Sequence, residues 1–205
     1  MAHYSHPREL STGIAQKALR RVLATGAVVR CQAPVVKHVN DDADVWAELW
    51  RTQVRLGAVP YYMFVARDTG ARRYFEIPLV RAHDIYRDAM SRVSGLARTV
   101  RGPSMSATPG KVVIDGMAEI AGERVFVLRL LQARDPAWVG RPFFAALDEA
   151  AAWFDDLVPA FGRPQFFFTP ELVSLERGSE ARPWLGTARR KLPVVAGDRQ
   201  VGDAA

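Results

Sequence analysis

The chain has 205 residues, 49% of them hydrophobic and 24% charged, and its 28 basic and 22 acidic side chains leave a net charge of +6. This is globular composition. It excludes global disorder and collagen-like repeats, and a chain of this size can bury about 70% of its unfolded surface. A single cysteine, Cys31, excludes an internal disulfide framework, a Cys-only zinc site and a self-contained iron–sulfur cluster.

The basic excess is mostly arginine spread along the chain, which reads as a solvated basic surface and permits an anionic ligand without demanding one. The sequence shows neither a signal-peptide pattern nor an apolar run long enough to span a membrane. With the lone thiol, this gives the expectation of a reducing cytoplasm and no membrane partner.

In chain order, Ser11 or Thr12 can cap a first helix on which Leu10, Ile14, Ala18 and Val22 recur at helical spacing, with Gly26 as its stop. Ala27–Val36 reads as a buried strand, preceded at residues 2–5 by at most a strand stub. Asn40-Asp41-Asp42 opens a second helix carrying Val45, Trp46, Leu49, Trp50 and Leu56, closed by Gly57. Val59–Val65 is the second clear strand. Pro78 starts a third helix with Ala82, Ile85, Ala89 and Val93, capped by Gly95. Alternation of this kind predicts βα units and a parallel sheet over residues 1–96.

Beyond Gly95 the pattern changes. Arg98–Gly110 reads as a loop, Lys111–Ile114 as a short strand, and Met117–Ile120 with Arg124–Leu131 as a strand pair about Ala121-Gly122-Glu123. Asp148–Leu157 reads as a short amphipathic helix and Phe166-Phe167-Phe168 as part of a packing arm. Residues 97–175 thus form a small α+β extension, and 176–205 a disordered tail. Two strong parallel strands are too few for a closed (β/α)₈ barrel and leave bare edges. The arithmetic points to the C-terminal half of a larger unit, prone to self-association as a homo-oligomer or aggregate.

Six short motifs occur in a telling order: His3-Tyr-Ser-His6-Pro7, Cys31-Gln32, Val39-Asn40-Asp41, Pro60-Tyr61-Tyr62, Val93-Ser94-Gly95-Leu96 and Pro109-Gly110-Lys111. Together they resemble the C-terminal part of the lysine 2,3-aminomutase (KamA-like) family of radical S-adenosylmethionine (SAM) proteins. The resemblance covers residues 3–115. It implies an α/β fold, half of a partial (β/α) barrel. It also implies a separate N-terminal half whose three-cysteine loop binds a [4Fe–4S] cluster and SAM. Cys31 lies in no such motif, and Asp42 stands where one of the lysine enzyme's zinc cysteines would fall.

The resemblance makes Lys111 the anchor for pyridoxal phosphate (PLP), a lysine whose amine meets the cofactor aldehyde. Spacing alone leaves it a solvated lysine at a strand start. It is not a P-loop lysine, because Met105 replaces the first glycine and Val112 the Ser/Thr. Gln32, a polar residue in an apolar strand, needs a partner. That partner is an internal hydrogen bond or, by resemblance, the cofactors in the barrel lumen. His3 is implied to look into the same site, while His6-Pro7 begins the next loop. The i, i+3 spacing of the two histidines is one a metal could use, but two histidines near a chain start without metal is the preferred reading.

By resemblance, Phe64 replaces a tyrosine that packs on the cofactor. Arg67 and Ser104 replace two aspartates that hold the substrate's side-chain ammonium. An arginine repels a cation and pairs with a carboxylate, which implies an acidic amino acid as the small-molecule substrate. Arg67 also reads as a surface ion pair with Asp68. Trp46, Trp50, Tyr86 and Phe126 read as core. Arg98 and Arg101, a basic pair in the expected loop, read either as exposed or as contacts for a phosphate or carboxylate.

The implied activity is a 2,3-amino shift, with the catalytic radical made outside this chain. The rival reading is a truncated or diverged binding module without catalysis. A nucleic-acid partner is disfavoured by the lack of a helix–turn–helix signature or an aromatic–basic single-strand platform.

Overall fold

The computed structural model describes residues 1–67 and 71–180, and the side chains of these except 72 and 176–180. The elements in chain order are β1 Ala2–His3, α1 Gly13–Leu23, β2 Arg30–Val35, α2 Ala43–Arg55, β3 Val59–Val65, α3 Arg72–Phe75, α4 Leu79–Ser91, β4 Arg101–Ala107, β5 Gly110–Ile120, β6 Glu123–Ala133, β7 Pro142–Ala146 and α5 Thr169–Glu180. The chain is mixed α/β. All seven strands join one sheet in sequential order. The first four run parallel and the rest pair antiparallel.

The alternating strands and helices expected for the first 95 residues are present. Asp42 caps α2 by accepting the Asp44 N–H at 2.7 Å, and Thr12 caps α1 by accepting that of Ala15 at 3.2 Å. Trp46, Leu49, Trp50 and Gln53 recur at i, i+3, i+4 and i+7, so α2 buries one face. On α4, Leu79, Ala82, Ile85 and Ala89, at i, i+3, i+6 and i+10, also form one buried face. Trp46, Leu49, Trp50, Ala82, Ile85 and Ala89 pack with Cys31, Ala33, Val35 and Met63 of the strands into one core. A sequential strand order without reversal keeps the crossover helices on one face of the sheet and leaves the other face free to line a cleft.

Several expectations are corrected. The stripe predicted on α1 does not point inward. Leu10, just before the helix, is buried as expected, but Ile14 is 85% exposed and Val22 49%, and Leu19 is buried instead. The helix has only one sheet edge to pack on, so the register that buries Leu19 leaves Ile14 in solvent. Gly95 does not cap α4. Arg92 takes that position, and Gly95 opens a short 3-10 turn.

The segment read as a loop at 98–110 holds β4, whose Gly102-Pro103 pair has the look of a strand breaker. Gly102 has φ +155, and a Cβ there would collide with the Met63 carbonyl. The glycine is what lets β4 approach β3. The strand begun at Lys111 runs on to Ile120, and the strand pair is a hairpin turned at Ala121-Gly122, both with positive φ.

Asp148–Leu157 forms no helix beyond a 3-10 turn at Phe154–Asp156. Asp148 accepts the Ala150 N–H, and Asp156 accepts those of Ala152 and Trp153. Such local bonds compete with helical ones. Strand β7 carried no signal that was read. The Phe166–Phe168 arm does pack, with Phe168 near Trp138, Phe143 and Phe154 in a second core. The expected tail begins within α5, and 181–205 lies outside the described residues.

Candidate functional site

The helix-free face of the sheet collects the predicted residues. Register places His3 beside Gln32, Gln32 beside Tyr62, and Phe64 between Pro34 and Ser104. On β4 and β5, Ser106 lies opposite Lys111. Paired residues share a face, so these side chains form one surface. Toward the C-terminal ends of the parallel strands this surface opens into a cleft of about 550 Å³. Its lining includes His3, Gln32, Phe64, Arg67, Ser106 and Trp153. A cleft at that end of parallel strands is where α/β folds bind ligands.

Gln32 is half-buried, and among the described residues its amide makes no side-chain hydrogen bond. Of the two partners left open for it, the internal bond is not made among the described residues. His3 is exposed at the rim. His6 does not join it. Its Nδ1 accepts the Arg8 N–H at 3.1 Å, while Glu9 accepts the His6 N–H at 2.8 Å, closing a turn. No group of three or more potential metal ligands occurs among the described residues.

Asn40, read as part of a capping turn, is a buried clamp. Its Oδ1 accepts the Val36 N–H at 2.6 Å, and its Nδ2 donates to the Ser5 and Pro34 carbonyls. It thereby ties the segment after His3 to the end of β2 and sets one wall of the cleft.

Lys111 is not at the end of a loop but inside the β4–β5 ladder. The glycine before it has a packing reason. Gly110 has φ +146, and a Cβ there would strike the Gln132 carbonyl of β6. The Lys111 side chain runs back across the open face, so that Nζ lies 4.2 Å from the Tyr62 ring centroid and 5.1 Å from that of Phe64. Those two rings stack at 5.0 Å. Burial lowers the amine's pKa below the usual lysine value, with Tyr61 opposing and Arg101 assisting. The half-buried amine lies against two aromatic faces, free of any carboxylate among the described residues.

Arg67 is exposed at the cleft rim, and its expected ion-pair partner Asp68 lies outside the described residues. Ser104 is not in a loop and is not part of the lining. It is fully buried in β4, its hydroxyl 3.4 Å from the Met63 carbonyl. Ser106, one pleat further along the same face, is the serine that reaches the cleft. Sequence reasoning missed it, although its period-two spacing from Ser104 was a usable signal. Trp153 and Phe75 also escaped notice, because they come from connections whose course is set by tertiary packing.

The two arginines read as a loop pair separate. Arg98 donates from Nε to the Val93 carbonyl at 2.9 Å. Arg101 turns onto the open face, over Tyr61 and Tyr62. Cys31 is buried under the helices, where burial pushes its thiol up to about 11. Trp46 and Trp50 lie in one core, with Tyr86 partly buried against it, and Phe126 lies in the other, as expected. No helix among the described residues is long and apolar enough to cross a membrane.

Sequential parallel strands, helices on one face of them and a cleft on the other define a mixed α/β protein. A relative from Aquifex aeolicus named "Putative L-lysine 2,3-aminomutase" is 35% identical over 156 residues, which is 76% of this chain and 40% of the relative. The L-lysine 2,3-aminomutases of Haemophilus influenzae and Escherichia coli are 29% and 25% identical over 107 and 113 residues, 31% and 33% of their own lengths. The chain belongs to this KamA-like family over the part it shares with these proteins, and spans two fifths or less of their length. No protein-family model matches it.

Proposed function

We propose that the chain is the C-terminal part of a PLP-dependent, radical SAM aminomutase-like protein, its parallel strands one side of a partial (β/α) barrel. The observation that carries this reading is Lys111, whose amine lies against Tyr62 and Phe64 on the face shared with His3 and Gln32. These residues fit PLP. Lys111 would hold the aldehyde, Phe64 would pack on the ring, and Gln32 with His3 would bound the cleft. When bound, PLP supplies an electron-accepting ring conjugated to the amino nitrogen.

The chain's own residues do not fit a [4Fe–4S] cluster, since its single thiol is buried away from the cleft. Cluster and SAM would belong to a partner half, on the same or a separate chain. The exposed apolar side chains of Val22 and Val28 beside the two-residue edge strand β1 support a docking surface there.

Arg67 at the rim favours an amino acid with a side-chain carboxylate over one with an ammonium. Ser104 acts on that end only through the β3–β4 seam to which it is bonded. The test is made on the complete protein with its missing half supplied. Borohydride should fix PLP on Lys111, and glutamate or aspartate should be turned over in preference to lysine by roughly one to two decades, the worth of one charge-assisted contact. Label at Lys37, or lysine preference unchanged by Arg67→Asp, would reject the respective parts.

The second reading, a binding module without catalysis, is favoured by the lone buried cysteine. It predicts PLP labelling without any amino shift.

A further inference from the structure

Below the cleft, toward the N-terminal ends of the parallel strands, the open face carries a row of cations and rings that the function above does not use. The Arg30 guanidinium lies 4.8 Å from the Tyr61 ring centroid, and that of Arg101 lies 5.3 Å from the same ring. Arg101 is also 5.9 Å from the Tyr62 ring, against which the Lys111 amine rests at 4.2 Å. Three positive groups from β2, β4 and β5 thus share two adjoining tyrosines on β3. Among the described residues no carboxylate pairs with any of them, although other arginines of the fold find one, such as Arg129 with Asp115 and Arg92 with Asp44.

Unpaired like charges gathered on one face repel, and the arrangement is favourable once an anion enters. Stacking on tyrosine orders the guanidinium planes and leaves their N–H edges free, the geometry that grips a phosphoryl group through paired hydrogen bonds.

We propose that Arg30 and Arg101, held on Tyr61 beside Lys111, form a phosphate-binding subsite of this chain. The subsite rests in part on the cofactor reading and deepens it. In PLP the aldehyde and the phosphate-bearing arm are substituents of neighbouring ring carbons. A group that holds the phosphate must therefore stand within a side chain's reach of the amine that meets the aldehyde. Arg101 shares the Tyr62 ring with Lys111 and meets that condition, while Arg67 at the opposite rim remains free for the substrate. The same chemistry would accept free phosphate, so the test separates the two sources.

The protein is tested complete, with its missing half supplied. It is incubated with PLP or with pyridoxal, which has the aldehyde but no phosphate. The Lys111 amine condenses with the aldehyde, losing water, and borohydride then reduces the new C=N bond and fixes the label. The ratio of PLP to pyridoxal label at Lys111 is compared between the parent chain and the Arg30→Gln, Arg101→Gln and double variants. Comparing ratios cancels the different intrinsic reactivities of the two aldehydes. Loss of one charge-assisted contact should lower the ratio about tenfold, and the double substitution should lower it further.

Both arginines are exposed, so circular dichroism should find the variants folded. Inorganic phosphate binding, read by calorimetry, gives a measure independent of the cofactor and should disappear in the double variant. Labelling of Lys111 with an unchanged ratio would overturn the subsite and leave the cofactor reading standing. No labelling by either aldehyde, with phosphate still bound through the arginines, would reject the cofactor reading and keep a free-phosphate site. Absence of phosphate binding to the parent chain, with no PLP preference, would overturn the proposal outright.

Discussion

The two flanks of the single sheet are held together by different means. On the parallel flank, strands β1–β3 lie under helices, and the core is aliphatic side chains with two tryptophans, Trp46 and Trp50, at a centroid distance of 5.7 Å. On the antiparallel flank, strands β5–β7 are covered by irregular chain, and the core is a knot of rings around Phe143, Phe154, Phe166 and Phe168. Helices advertise their buried face through a period of 3.6 residues, so the first flank can be read along the sequence. Rings delivered by turns carry no period. The candidate site residues straddle the boundary: His3, Gln32 and Phe64 come from the first flank, Lys111 from the second, and Ser104 from β4 between them. The seam between β3 and β4 therefore matters most to the site.

The largest effect is expected where that seam is broken. Gly102→Ala forces a Cβ onto the Met63 carbonyl at a positive φ and should cost about 3 kcal/mol or more. Gly26→Ala, also at positive φ but in open space, should cost only about 1 kcal/mol. Urea denaturation of both variants makes the comparison, and equal losses would mean that the close approach is not what holds the flanks together.

Truncating either core comes next. Leu49→Ala on the parallel flank and Phe168→Ala on the other should each cost roughly 2–5 kcal/mol. Because one continuous sheet carries both cores, each variant should unfold in a single transition. Trp46 and Trp50 report on one flank, and Trp138 and Trp153 on the other. Transitions that fail to coincide in single-flank tryptophan variants would show that the flanks fold independently.

A smaller effect is confined to the parallel flank. His83 on α4 is 8% exposed with its Nδ1 unpartnered, and burial lowers its pKa, with Asp84 opposing and Arg87 assisting. The unfolded chain takes up a proton near pH 6.5, whereas the folded state resists until lower pH. Stability should therefore fall as pH drops below about 6.5 and level off once the folded state also protonates. His83→Leu should flatten that part of the profile, and an unchanged slope would assign it to other groups.

The legibility of the sequence follows the same division. Val59–Val65 is a strand with the ends expected of it, because an apolar β-rich run between Gly57 and a polar turn has few other uses. Strand β4 was hidden by Gly102 and Pro103, whose roles are set by Met63 on a neighbouring strand. The cleft was legible as far as family motifs reached, through His3, Gln32, Phe64 and Arg67. Ser106, Trp153 and the Tyr61 stack were not, since each depends on register or on a turn that only the folded chain defines. Asn40 shows how a residue can be noticed for one reason and matter for another. Its place before α2 suggested a cap, and its burial makes it a bridge between β1 and β2.

The smallest effect concerns surface charge, where the flanks differ in kind. On β5 and β6, Arg129 grips Asp115 through two hydrogen bonds of 2.8 and 2.9 Å, with the side chains 41% and 33% exposed. On α2, Arg55 meets Glu48 at 2.6 Å through one guanidinium nitrogen, with the side chains 61% and 45% exposed. The forked contact fixes both partners across two strands and excludes more water, so salt screens it less. The helical pair keeps two mobile side chains in solvent. A double-mutant cycle with Arg129→Gln and Asp115→Asn should return about 0.5–1 kcal/mol, and one with Arg55→Gln and Glu48→Gln about 0.3 kcal/mol. Raising the salt concentration should erase most of the second and only part of the first. Equal couplings with equal salt dependence would show that the cross-strand geometry adds nothing to an ordinary surface pair.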